Sequence, residues 1–239
     1  MEIKFPYIRY FFFIAGVSEI LPLILFFFRK QKKSKELALV FTFQLVGFLS
    51  EITFAIIQKK VSVNNASIIL DLFTVVAVLI LAFLFQTILF SIKFRKIILY
   101  SSLALSAYIV VKFFISRSEF TFNSINVAAL AILVIVWSII FFYEQLTKPT
   151  DVTQLFLYSS PSFWIVTAYL IYFAGTFFLF IYSQHKKIEP GTEFFIQYSL
   201  INGVFRLLKN ILLSVAMFTK TDSNNKLMGK PRQQTYYRE

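Results

Sequence analysis

FFIQYSLINGVFRLLKNILLSVAMF, residues 194–218, is long and apolar enough to cross a membrane, yet it carries Arg206 and Lys209 well inside its ends. About twenty apolar residues span a hydrocarbon core. Tyr198, Asn202, Arg206 and Lys209 recur at helical spacing, so they share one face of the helix. A charge at that depth is costly. It faces protein interior, an opposite charge or a water-filled cavity. The stretch therefore requires a helical bundle in a membrane, with something polar across from this stripe.

The rest of the chain repeats the pattern. Its 239 residues are 58% apolar, with a mean hydropathy of +0.72. The apolar content comes in blocks of about twenty residues, which a soluble domain of this size could not cover on every side. We read an all-α, polytopic bundle of seven spans: Ile8–Phe28, Leu37–Ile57, Ile68–Phe90, Ile97–Ile115, Ile125–Tyr143, Phe163–Gln184 and Phe194–Phe218. A basic tail, 219–239, follows and is expected to be disordered and attracted to lipid. The first stretch lacks a small-residue cleavage site and is expected to remain as a span. Pro22 predicts a kink or local break within it.

Net charge is +12. The basic residues sit in short loops and the tail, which suits lipid contact and topology rather than nucleic acid. Arg29, Lys30, Lys32, Lys33 and Lys35, then Lys93, Arg95 and Lys96, then Lys148 and the tail fall on one side of the spans. Lys4, Arg9, Lys59, Lys60, Arg117, Lys186 and Lys187 fall on the other. The positive-inside rule then predicts an N-terminus outside and a cytoplasmic C-terminus. The chain has no cysteine and one histidine, His185. This removes thiolate chemistry and a histidine-cluster metal site, and no cofactor, metal or catalytic residue is assigned. The 32 phenylalanines are read as lipid-facing and packing residues rather than the lining of a chamber.

Depth, at about 1.5 Å per residue, organises the polar residues. Glu19 of the first span and Arg206 of the last fall at the same mid-membrane level, and Gln44 of the second span lies near Lys209. We expect a cluster of Glu19, Gln44, Asn202, Arg206, Lys209 and Asn210. It requires the first and last spans to be neighbours in a closed ring. An ion pair that sets helix register explains Arg206, while Lys209 is left without an obvious acid, so the cluster carries surplus positive charge. A second group, Glu51, Asp71, Lys112 and Tyr198, is placed near the outer surface, with Asp71–Lys112 as a pair. Tyr169, Tyr172, Gly175 and Thr176 form a packing face on the sixth span. The glycines at 16, 47, 175 and 203 are each expected at a close helix contact.

A lysine in a seventh helix raises retinal binding, but Phe205 stands where a rhodopsin-like helix carries an aspartate, and retinal is not expected. The run 161–165 (PSFWI), then 170–180 (LIYFAGTFFLF), Asn202 and 208–212 (LKNIL) resembles a group of uncharacterised bacterial seven-helix membrane proteins often encoded beside two-component sensor kinases. The resemblance covers residues 160–215. It implies a bacterial inner-membrane, signalling context and no catalytic residues.

The expected function is a non-enzymatic, receptor-like or accessory membrane protein. Its expected partners are membrane lipid and a membrane or cytoplasmic signalling protein, not nucleic acid. The alternatives are a small transporter or channel that binds an anion on the last-span cations, and an intramembrane lipid-modifying enzyme using Glu51 and Asp71.

Overall fold

The structure, a computed structural model, describes residues 6–29, 34–60, 63–115, 124–147, 158, 160–185 and 193–219. The described residues form eight helices: α1 Pro6–Val17, α2 Ile20–Phe28, α3 Lys35–Lys60, α4 Val63–Ile88, α5 Ile92–Ile115, α6 Ser124–Thr147, α7 Pro161–His185 and α8 Glu193–Phe218. Six of them, α3 to α8, are long and apolar enough to cross a membrane, and Phe13–Phe28 adds a shorter apolar stretch. The tail beyond Thr219 and residues 148–157, between the fifth and sixth predicted spans, lie outside the described residues.

The exterior and the interior both fit an integral membrane protein. Large apolar side chains point outward all round the bundle, among them Phe83, Leu103, Phe114, Ile139 and Phe178. An apolar exterior this continuous does not persist in water. The interior holds small and aromatic residues together with buried polar ones, including Gln44, Asn126, Glu144, Lys209 and Asn210. Lipid tails are as apolar as the interior. Helices in a bilayer therefore associate by close packing and hydrogen bonds rather than by apolar burial.

Both of those forces are visible. Gly175 of α7 lies under the Phe205 ring of α8, where an added Cβ would come within 2.2 Å of that ring. Gly203 of α8 meets Phe11 of α1, with 2.6 Å to an added Cβ. These two glycines mark close contacts, as expected. Gly47 makes only ordinary contact with Phe73, and Gly16 has nothing within 4 Å of an added Cβ, which corrects the expectation for Gly16. Its place inside α1 is not explained by packing.

Consecutive helices pack as neighbours, and the series closes on itself. α8 packs on α7 at one side and on α1 and α2 at the other, so the first and last apolar segments are neighbours. α7 packs on α6, and α4 is central, touching α3, α5 and α6. Three polar ties gather alternate helix ends on one face. The buried carboxylate of Glu144, at the end of α6, accepts the Phe90 and Ser91 backbone N–H groups at 2.8 and 2.6 Å, at the turn into α5. Glu36, at the start of α3, accepts from the hydroxyl of Ser162 at the start of α7, at 3.0 Å. The Arg29 guanidinium, just past α2, donates to the Met217 and Thr219 carbonyls that close α8. A cation at carbonyls left open by a helix C-terminus satisfies both hydrogen bonding and the helix dipole. None of the three ties was anticipated. In the sequence Arg29 stands only as one of the cations flanking a span.

The first apolar segment is not one helix. Proline at position 22 has no N–H to give the Ser18 carbonyl, and its ring crowds that oxygen. The break consequently falls four residues upstream, at Ser18–Glu19, rather than at Pro22 itself. Leu21 N–H takes the Ser18 carbonyl at 3.2 Å, and Glu19 N–H takes that of Gly16 at 3.2 Å. Both are i to i−3 bonds that tighten the chain at the kink.

Candidate functional site: an ion-pair chain at the kinked helix

Glu19 sits at the kink, 6% exposed. Its side chain does not cap α2; it turns to α8. There Arg206 Nε–H donates to Glu19 Oε1 at 2.7 Å. The expected mid-membrane pair of Glu19 and Arg206 is present, made possible by the packing of α1 and α2 on α8.

Two corrections follow from the direction of side chains on α8. A helical side chain leans toward the N-terminus of its own helix. From α8 this carries the Arg206 guanidinium about one turn further from the end that Arg29 caps. It meets Glu51 of α3 in an ion pair. Glu51 therefore belongs to the central cluster and not to the group with Asp71, Lys112 and Tyr198. Lys209 leans the same way, and its ammonium comes to 3.8 Å from Glu19 Oε1. It rests on the face of Tyr172, 5.0 Å from the ring centroid. Lys209 thus has an acid, shared with Arg206. With Glu51 included the cluster holds two acids and two cations, so the surplus positive charge is gone.

The four charges form an alternating chain, Glu51, Arg206, Glu19, Lys209, which becomes more buried along its length. Side-chain exposure falls from 50% at Glu51 through 20% at Arg206 to 8% at Glu19 and 6% at Lys209. A parallel string of hydrogen bonds links the same helices. Gln44 Nε2 of α3 donates to Asn210 Oδ1 of α8 at 2.9 Å. Asn210 Nδ2 donates to the Ser18 hydroxyl at 2.8 Å, and Ser18 donates to the Ala15 carbonyl at 2.7 Å. Ser18 was not anticipated; its only sequence signal is its place four residues before Pro22. Asn202 lies one turn from Arg206 on the same stripe, and its buried Oδ1 accepts no hydrogen bond.

The second group does not assemble as expected. Asp71, at the start of the apolar part of α4, accepts from Asn126 Nδ2 of α6 at 2.9 Å. Lys112 makes no ion pair with it within 4 Å but is near enough to act on it electrostatically, and its ammonium lies 5.8 Å from the Tyr108 ring centroid. Tyr198 is near enough to Tyr172 for the two phenols to act on each other electrostatically, so it belongs with the central cluster. On α7, Gly175 makes the packing contact, and Thr176 bonds its own helix at the Tyr172 carbonyl, 2.7 Å away. Tyr172 carries Lys209, and Tyr169 meets Phe43 of α3 edge-on at 5.5 Å. Glu51 and Asp71, the two acids required by a lipid-modifying site, engage different partners on different helices.

Comparison of the chain with protein-family profiles, with curated proteins and with solved structures gives no match.

Proposed function

We propose that the protein is a non-enzymatic, receptor-like or accessory component of a bacterial plasma membrane, crossing seven times with its N-terminus outside. In this reading α1 and α2 together make the first crossing. The helix ends tied by Arg29, Glu36 and Glu144 form the cytoplasmic face. Arg29, Lys35, Lys93, Arg95 and Lys96 all fall at that face, which supports the orientation. The resemblance of residues 160–215 to proteins encoded beside sensor kinases adds a signalling partner to the proposal.

One observation carries the reading. A single guanidinium, Arg206, is bound at once by Glu19 of the kinked segment and Glu51 of α3. The relative placement of three helices then depends on which acids hold it. A ligand or protonation event that takes one acid away repositions one helix against the others, which is the differential interaction a two-state receptor needs.

The absence of cysteine makes a direct test clean. Spin labels at Ile56→Cys of α3 and Glu193→Cys of α8 report the separation of the two helices. Glu51→Gln is expected to shift or broaden that distance distribution. A single distribution, identical in both proteins, would make the cluster a fixed structural rivet and end the receptor reading.

The kink favours a second reading, since transporters place their sites at interrupted helices. Solute flux into liposomes that needs Arg206 would establish it. The surplus cation that suggested an anion as cargo is no longer present.

A further inference from the structure

We infer that the cluster binds a zwitterion, a headgroup or small molecule bearing a primary ammonium and an anionic group. The inference deepens the receptor-like reading above and rests on it.

The unspent hydrogen-bonding groups define the ligand. Glu19 uses Oε1 for both Arg206 and Lys209, while its buried Oε2 accepts nothing. Asn202 Oδ1 is a second buried acceptor without a donor. Buried polar atoms are normally paired, so two such acceptors in the one cluster call for a ligand rich in N–H or O–H. The cluster also holds a cation in loose contact. The Lys209 ammonium stands 3.8 Å from Glu19 Oε1, too far for a strong hydrogen bond. An anionic group beside Lys209 would approach it more closely than Glu19 does.

Charge balance then excludes simpler ions. Glu19, Glu51, Arg206 and Lys209 sum to zero when all are ionised. A purely cationic or purely anionic ligand would leave an uncompensated charge in a low-dielectric interior, which is costly. A zwitterion leaves the sum unchanged and supplies both a donor for Glu19 and Asn202 and an acceptor for Lys209. Two acceptors need at least two N–H groups; a primary ammonium brings three, and a trimethylated nitrogen none. The half-exposed Glu51 marks the side on which the chain of charges opens. Two sources fit this chemistry: a phosphoethanolamine lipid headgroup and a free amino acid.

The experiment is thermal unfolding of the full chain in lipid-free detergent. The probes are phosphatidylethanolamine, glycine and glycerophosphoethanolamine, each set against its trimethylated counterpart: phosphatidylcholine, glycine betaine and glycerophosphocholine. A primary-ammonium probe is expected to raise the Tm while its trimethylated partner does not. A response to the lipid alone assigns a headgroup site, and a response to glycine assigns a soluble ligand. Asn202→Leu and Lys209→Met are each expected to weaken the response about tenfold, the value of one hydrogen bond. The wild-type contrast between primary and trimethylated probes keeps the test valid even if a variant folds poorly. Equal responses within each pair, or no response up to millimolar probe, would overturn the inference and leave the acceptors to water. Binding without any change in the Ile56–Glu193 label distance would uphold the site but refute the receptor reading; a Glu51-dependent distance change without binding would do the reverse.

Discussion

Removing either partner of the Glu19–Arg206 pair should cost nearly as much as removing both. At 2.7 Å and an effective dielectric of about 20, the Coulomb attraction is about 6 kcal/mol. Desolvation of two groups, 8% and 20% exposed, offsets several kcal/mol of that, leaving a net value of about 2–3 kcal/mol. Arg206→Gln strands Glu19 with only Lys209, at 3.8 Å, and deprives Glu51 of its partner. Glu19→Gln leaves Lys209 without an acid, though Arg206 retains Glu51. Each single substitution should therefore lower stability by about 2–3 kcal/mol, and the double by no more than the worse single, a coupling of about 2 kcal/mol. Glu51→Gln, at a half-exposed site, should cost under about 1 kcal/mol. Unfolding in mixed micelles by titrated dodecyl sulfate, followed by the fluorescence of Trp137 and Trp164, gives all four values. Losses that add to within about 0.5 kcal/mol would show that the two side chains stand close but are not coupled. Equal costs for Glu19 and Glu51 would refute the burial argument that ranks them.

Other consequences of the fold can be checked singly. Pro22→Ala restores a donor for the Ser18 carbonyl and should straighten the first segment. Spin labels at Tyr10→Cys and Phe28→Cys should then move apart, and an unchanged distance would place the cause of the kink elsewhere. Glu144→Gln removes the charge from a buried carboxylate that holds two backbone N–H groups. The expected loss is about 1.5–3 kcal/mol, the range for charge-assisted bonds, in the same micelle titration. Gly175→Ala must displace the Phe205 ring and should cost about 1–3 kcal/mol. Gly16→Ala, with open space around it, should be neutral or should stabilise by up to about 1 kcal/mol through helix propensity. A reversal of that order would contradict the packing. Arg29→Gln leaves the last α8 carbonyls without their cationic cap, and hydrogen exchange in the final turn of α8 should accelerate.

Some of this was legible in residues 1–239 as a string. Length and apolarity determine that α3 to α8 are membrane-length helices, because the bilayer thickness sets one scale for every span. Glycine at 175 and 203 signalled two close contacts. The level of Glu19 along the first segment matched that of Arg206 along the last, since helical rise is constant. Proline at 22 announced an interruption, although the chain breaks where the lost hydrogen bond would have ended and not at the proline. The tertiary structure decided what depth counting could not, because depth is one coordinate and a contact needs three. It brought Glu51 to Arg206 and Lys209 to Glu19, since long side chains on α8 lean a full turn toward its N-terminus. It gave Asp71 a direct hydrogen bond from Asn126 and left Lys112 at longer electrostatic range, because α4 packs on α6 at that level. It also turned a surplus of positive charge into a balanced chain of four. Which acid answers which cation is set by helix order round the ring and by side-chain reach, and neither is written in the spacing along one strand of sequence.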